Sequence, residues 1–75
     1  MRRYLFDLRG HDGRRMGVEA HDLRADAETF WAAGDVLNHN PGCDYVQVWR
    51  GDRALLTRFR EQVMRVSTPM AAARP

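Results

Sequence analysis

The sequence contains no lysine, no isoleucine and a single cysteine, and each shortage restricts what the protein can be. All twelve basic residues are therefore arginine. Because the codons for lysine and isoleucine are rich in A and T, their absence predicts a GC-rich, bacterial genome. Cys43 has no partner for an intrachain disulfide, which is typical of a protein from a reducing cytoplasm.

Long apolar runs are also missing, since none approaches the roughly 18 residues of a membrane span. The first three residues lead directly into a predicted strand, so we expect no signal peptide, no membrane partner and a cytoplasmic location. The 75 residues predict one domain over 1–66 and a disordered tail over 67–75, where no hydrophobic pattern remains. A domain of this size buries only a small core, so self-association is an expected source of stability.

Charge is distributed unevenly along the chain. Residues 21–44 carry one Arg and five acidic residues, whereas both flanking segments are net basic. The net charge is only +2, so the pI of 9.3 mainly reflects the high pKa of arginine. The pattern predicts an acidic helix and basic strands, and the pI by itself does not indicate nucleic-acid binding.

Two predicted hairpins flank the acidic segment. RYLFDLR at 3–9 alternates apolar and polar residues, and the turn GHDG at 10–13 leads to a second strand with Met16, Val18 and Ala20 on one side. The segment DYVQVWRGDRALLTRFR over 44–60 predicts a second hairpin with Gly51 and Asp52 at its tip. Residues 60–66 fit either an extension of the last strand or a short helix.

The segment between the hairpins has the pattern of an amphipathic helix, capped by Asp22 or Asp26. One apolar stripe recurs at steps of three and four residues: Leu23, Ala27, Phe30, Gly34 and Leu37. Gly34 lowers helix stability by about 1 kcal/mol relative to Ala, so we expect a strand to approach closely there. Pro41 and Gly42 end the helix.

These elements predict an α+β fold, ββαββ, with one helix on one face of a four-stranded antiparallel sheet. The strand order is predicted as 2-1-3-4, because a right-handed crossover leaves the first strand in the middle. The side chains expected under the helix are Tyr4, Phe6, Leu8, Val18, Val46, Val48, Leu55 and Phe59. The side chains expected on the open face are Leu5, Tyr45, Trp49, Leu56 and several arginines.

Several of these segments resemble a family of short, uncharacterised proteobacterial proteins with a ββαββ fold. The resemblance rests on RYLFDLRG, the Asp-Gly turn, the ADAE helix start and the hairpin VWRGDRALL, and it covers residues 3–60. QVW at 47–49 stands where the family has a sequence like ELW. The resemblance implies this fold and a bacterial origin, and it brings no active site with it.

Catalytic, cofactor and metal motifs are absent from the sequence. His21, His39 and Cys43 lack the paired spacing of a structural zinc site, although the spacing of the last two is tolerable. Arg50 to Asp52 spell the integrin tripeptide, but Gly-Asp is also an ordinary hairpin turn. We therefore predict a non-enzymatic protein with no cofactor and no metal.

The predicted open face supports two functions. The first is a protein-interaction module that forms a homo-oligomer or binds another protein, through Leu5, Tyr45, Trp49, Leu56, Arg50 and Arg58. The alternative is a nucleic-acid-binding accessory protein, in which aromatic rings stack on bases and phosphates contact Arg3, Arg9, Arg15, Arg50 and Arg58. A small-ligand site at the seam between helix and sheet is a third interpretation.

Overall fold

The computed structural model describes residues 1–60, so the predicted domain end at residue 66 and the predicted tail lie outside the described part. The elements are β1 (Arg2–Arg9), β2 (Arg15–Leu23), α1 (Thr29–His39), β3 (Tyr45–Arg50) and β4 (Arg53–Phe59). A single 3-10 turn over Asp26–Glu28 precedes α1. The predicted α+β architecture is confirmed.

The strands form one antiparallel sheet in the order β2-β1-β3-β4, as predicted. Gly51 and Asp52 form a two-residue turn between β3 and β4. Gly51 has a φ of +63°, and no non-glycine residue in 1–60 has a positive φ. This combination is typical of a type II′ turn, which matches the right-handed twist of a hairpin.

The core lies between α1 and one face of the sheet. Its buried apolar side chains are Tyr4, Phe6, Leu8, Ala33, Val36, Leu37, Cys43, Val46 and Val48. The alternation predicted for β1 and β3 is therefore confirmed, because every second residue of these two central strands faces the helix. Burial of this set from water is the main driving force that the domain has available.

The prediction that Val18 packs under the helix is wrong. Phe6 lies opposite Glu19 and Asp7 lies opposite Val18 in the β1–β2 register, so Val18 is on the open face. Its side chain is 49% exposed. Alternation divides β2 into two sets, but pairing with β1 decides which set faces inward.

The inward side of β4 was also predicted wrongly. Arg58 lies opposite Val46 and is buried beneath α1, whereas Phe59 lies opposite Tyr45 on the open face. The Phe59 and Tyr45 rings are 5.2 Å apart between centroids. The sequence predicts that an arginine in an edge strand is exposed. Arg58 is buried because the helix packs above it.

Leu56, predicted on the open face, lies opposite Val48 and packs against the core. The register shifts between the partners of Val48 and Trp49, which leaves Leu55 as an extra residue in β4. Leu55 also packs against the core, as predicted. A bulge of this kind lets two consecutive side chains contact one side, which simple alternation does not anticipate.

The helix begins later than predicted, at Thr29, because β2 continues to Leu23. Gly34 and Leu37 are buried in α1 as predicted, but Phe30 is 37% exposed and does not belong to the core. The prediction of a core Phe30 is therefore wrong. Its ring lies over the edge of the sheet, where it covers a buried charge described below.

Candidate interaction surfaces

The side chains of the open face form cross-strand rows, each with one residue from every strand. One row is apolar: Ala20, Leu5, Trp49 and Ala54. The next row is mostly polar: Val18, Asp7, Gln47 and Thr57. A further row combines arginine with aromatic rings: Arg15, Arg9, Tyr45 and Phe59. The face therefore has an apolar end and a basic, aromatic end.

Asp7 occupies the middle of this face, and its side chain is only 6% exposed. Arg9 donates hydrogen bonds to Oδ2 from Nη2 at 2.8 Å and from Nε at 3.2 Å. Arg15 donates from Nε to Oδ1 at 3.0 Å and from Nη2 to Oδ2 at 3.2 Å. Burial raises the pKa of Asp7, but the hydrogen bonds and charges of Arg15 and Arg9 outweigh it and hold the pKa below its ordinary value.

A shallow cleft of about 290 Å³ lies beside this ion cluster. Leu5, Val18 and Trp49 line its apolar side, and the Asp7 cluster lines its polar side. Leu5 is 39% exposed, although it stands in a central strand. Exposed aliphatic side chains beside a fixed ion cluster are suited to contact with another macromolecule.

The residues predicted for the interaction surface do not all lie together. Leu5, Tyr45 and Trp49 are on the open face. The other three are on the helix side: Leu56, Arg50 and Arg58. Half of the predicted set therefore lies on the inner face of the sheet. The three predicted residues on the open face all come from β1 and β3.

Arg50 is held by a network that joins β1, β3 and the 3-10 turn. Its Nη1 donates to Oδ1 and Oδ2 of Asp26, at 2.7 and 2.8 Å. The hydroxyl of buried Tyr4 donates to the same Oδ1 at 2.6 Å. This hydrogen bond lowers the pKa of Asp26 and raises the pKa of Tyr4. Arg50 belongs to an Arg-Gly-Asp sequence, but its guanidinium group is paired with the Asp26 carboxylate of the same chain.

Arg58 is a buried cation, although it was predicted as part of an exposed interaction surface. It is 3% exposed, and its Nη1 donates to the carbonyl oxygen of Phe30. The guanidinium carbon is 3.8 Å from the centroid of the Phe30 ring and 5.8 Å from that of Trp31. Among residues 1–60, its Nε finds no hydrogen-bond partner. Burial lowers the pKa of Arg58, while the negative charge of Asp35 acts in the opposite direction.

The arginines predicted to contact nucleic acid are divided between the two sides of the sheet. Arg3 pairs with Asp22 at 3.4 Å. Arg9 and Arg15 share Asp7, and the remaining two, described above, lie on the helix side. The predicted set therefore forms no continuous basic surface around the aromatic rings.

A second concavity lies between α1 and β2, at the seam between helix and sheet where a small-ligand site was the third interpretation. This groove has a volume of about 370 Å³, with Leu23, Ala32 and Val36 among its lining residues. Its polar lining residues are Glu19, His21, Asp35 and His39. The groove exists because of where α1 lies on the sheet. The hydrophobic periodicity of a single element therefore could not predict its lining residues.

The polar rim of the groove is ordered by short contacts. His21 Nε2 is 2.9 Å from Oε1 of Glu19, and its ring meets the edge of Phe6 at 5.1 Å between centroids. Asn40 donates to Oε2 of the same carboxylate at 3.2 Å. The contact with His21 is the largest cause of a lowered pKa of Glu19, which keeps this rim carboxylate ionised.

Within residues 1–60, no group of three or more His, Cys, Asp or Glu side chains is placed to hold a metal ion. Cys43 is buried, and its Sγ donates to the carbonyl oxygens of Arg9 and Tyr45, at 3.4 and 3.2 Å. Burial raises the pKa of the thiol, so Cys43 acts as a small packing residue.

Comparison with protein-family models, with curated proteins and with solved structures gives no match. The resemblance to short proteobacterial proteins therefore stays a prediction, and so does the bacterial origin. In the part of the chain that the structure describes, no helix is long and apolar enough to cross a membrane.

Proposed function

We propose that this protein is a small, non-enzymatic interaction module that self-associates through the open face of its sheet. The observation that carries the proposal is the pairing of Leu5 with Trp49 on the face that no helix of residues 1–60 covers, with Val18 lining the same cleft. A sheet that buries only one face leaves its apolar residues on the other face available to a further layer. A second copy of the chain supplies that layer without any other component.

The arrangement of the rows favours a two-fold contact centred on the apolar row. Arg9 follows Leu5 by four positions in β1, which places it about 13 Å farther along the strand. A two-fold axis that lies in the contact plane near Leu5 and Trp49 and runs across the strands carries the arginine ends of the two copies in opposite directions. Apolar rows meet at the centre, and like charges stay apart at the rim.

The size of the face limits the affinity that this contact can reach. Four strands about 4.8 Å apart and about six residues long cover roughly 19 by 20 Å. Apolar burial contributes about 25 cal/mol per Å², from which the entropy lost on association must be subtracted. We therefore expect a concentration-dependent dimer with a micromolar dissociation constant.

Sedimentation equilibrium on the wild type, Trp49→Ser and Trp31→Ser tests the proposal. Trp31 is a matched control, because it is 65% exposed on α1, away from the open face. We expect Trp49→Ser to weaken dimerisation at least tenfold and Trp31→Ser to leave it unchanged, with far-UV circular dichroism confirming that each variant is folded.

Two results would contradict self-association through this face. One is a wild type that remains monomeric at high micromolar concentration. The other is a dimer that responds equally to the two tryptophan substitutions, since that would place the contact elsewhere on the molecule.

A further inference from the structure

Within residues 1–60, one helix covers the inner face of the sheet, and this face is wider than the helix. Four strands about 4.8 Å apart span roughly 19 Å, whereas an α-helix with its side chains is about 10 Å across. α1 packs mainly against β1, β3 and β4. The inward side of β2 is therefore left beside the helix as the wall of the groove described above.

The lining of this groove is apolar at the centre. Leu23 from β2 and Ala32 from α1 are partly buried and pack against the core, and Val36 lies beside them. A helix placed parallel to α1 would cover these three residues and complete a two-helix layer over the sheet. Such a helix needs a stripe of apolar residues at helical spacing on the side that it turns toward the groove.

The charges around the groove select the partner. The acidic lining residues are Glu19, whose carboxylate is also contacted by His21 and Asn40, and Asp35, which is exposed on α1. The helix α1 of a second copy carries one acidic residue, Asp35, and no Arg or Lys, so it brings no complementary cation to this rim. A helix with Lys or Arg beside its apolar stripe is complementary to this rim.

We infer that the groove between α1 and β2 binds a basic amphipathic helix of another protein. Its apolar stripe covers Leu23 and Ala32, and its basic side chains face Glu19 and Asp35. This is the helix-in-groove mode of peptide recognition. The site lies on the opposite side of the sheet from the proposed self-association surface, so either proposal can fail without the other.

A synthetic peptide probes the inference directly. It consists of Leu, Ala and Lys, is about 14 residues long, or roughly four helical turns, and has Leu at helical spacing with Lys on both flanks. A matched peptide has Glu in place of every Lys. Fluorescence anisotropy of each labelled peptide gives the affinity, and amide chemical shifts of the full-length protein locate the contact.

Two substitutions on α1 separate the groove from the rest of the helix. Ala32→Lys introduces a long cation into the groove, whereas Asn38→Lys places the same side chain at an exposed position outside its lining. We expect the Lys peptide to bind the wild type and Asn38→Lys alike and Ala32→Lys at least tenfold more weakly. Asp35→Asn, at an exposed residue, should weaken binding about threefold by removing one rim charge.

The expected shifts are confined to the groove and reach Leu23, Ala32 and Val36. Four results would overturn the inference: no binding of the Lys peptide at millimolar concentration, equal binding of the Glu peptide, an unchanged affinity in folded Ala32→Lys, or shifts that map to the open face around Trp49. If Ala32→Lys does not fold, an affinity unchanged in Asp35→Asn overturns it as well.

Discussion

The guanidinium group of Arg58 in β4 packs closely against Gly34 of α1. A Cβ atom at position 34 would lie only 2.7 Å from Nη1 of this arginine. The same guanidinium group contacts the Phe30 carbonyl and is almost completely buried. The close approach of a strand that Gly34 predicted is therefore confirmed. The approaching group is a buried cation, which no residue pattern indicated.

Gly34→Ala should destabilise the protein, although alanine is the better helix former. Overpacking costs about 1–3 kcal/mol and the higher helix propensity of alanine offsets about 1 kcal/mol of this, so the net loss should be up to about 2 kcal/mol. In an Arg58→Met background the flexible methionine can move aside, and the same substitution should stabilise by up to about 1 kcal/mol. Urea unfolding of the four proteins measures this cycle. A Gly34→Ala variant more stable than the wild type would show that Arg58 yields easily.

Phe30→Ala should have a moderate effect, because the ring is a partly exposed cover over Arg58. We expect a loss of about 1–2 kcal/mol from reduced burial and the lost cation–π contact. Phe30→Leu keeps an apolar cover without the π system and should recover about half of that loss. A loss of 3–5 kcal/mol in Phe30→Ala, as for a core phenylalanine, would contradict this assignment.

Asp7→Asn should lower stability at neutral pH by about 1.5–3 kcal/mol, because charged hydrogen bonds from Arg9 and Arg15 are lost. The pKa of Asp7 is lower in the folded protein than the ordinary value near 4 of an unfolded chain. The unfolded state therefore binds more protons in acid. The contribution of this carboxylate is complete above about pH 4 and is lost as the pH falls through its folded pKa.

Urea unfolding of the wild type and Asp7→Asn between about pH 7 and pH 3 measures this contribution. The difference between the two proteins should be constant down to about pH 5 and shrink below pH 4. Asp52→Asn, in the exposed β3–β4 turn, is the control and should differ little from the wild type at any pH. A difference that grows in acid would reverse the assigned sign.

The wild type should bind a mixed RNA or DNA pool only weakly at about 50 mM salt, since the open-face arginines are paired with carboxylates. Asp7→Asn removes the carboxylate that Arg9 and Arg15 share, so it should raise nucleic-acid affinity. Fluorescence anisotropy from about 50 to 200 mM salt tests both expectations. Tight wild-type binding with a steep salt dependence would favour the nucleic-acid alternative over self-association.

Local sequence patterns were sufficient to predict the types of the main elements and their order along the chain. Alternation in β1 and β3 and the Gly51-Asp52 turn each predicted the structure that is present. The apolar stripe predicted a helix, but of its five members only Gly34 and Leu37 are buried in α1. The alternation succeeds because β1 and β3 are central strands with one face against the helix, where period and burial coincide. The preference for right-handed crossovers then predicted that β1 lies between β2 and β3.

The edge strands and the surfaces depend on the tertiary structure. Sequence alone determined that the residues of β2 and β4 alternate, but inter-strand register decided that Val18 is exposed and Arg58 is buried. It determined that the central segment contains a helix, whereas packing decided which strands this helix covers. The helix is not acidic as predicted, because only Asp35 of the five acidic residues of the segment lies in α1. The physical reason is that a one-residue shift in register exchanges the two faces of a strand, at little cost in local propensity. The open face and the groove beside α1 are therefore properties of the assembled sheet and helix.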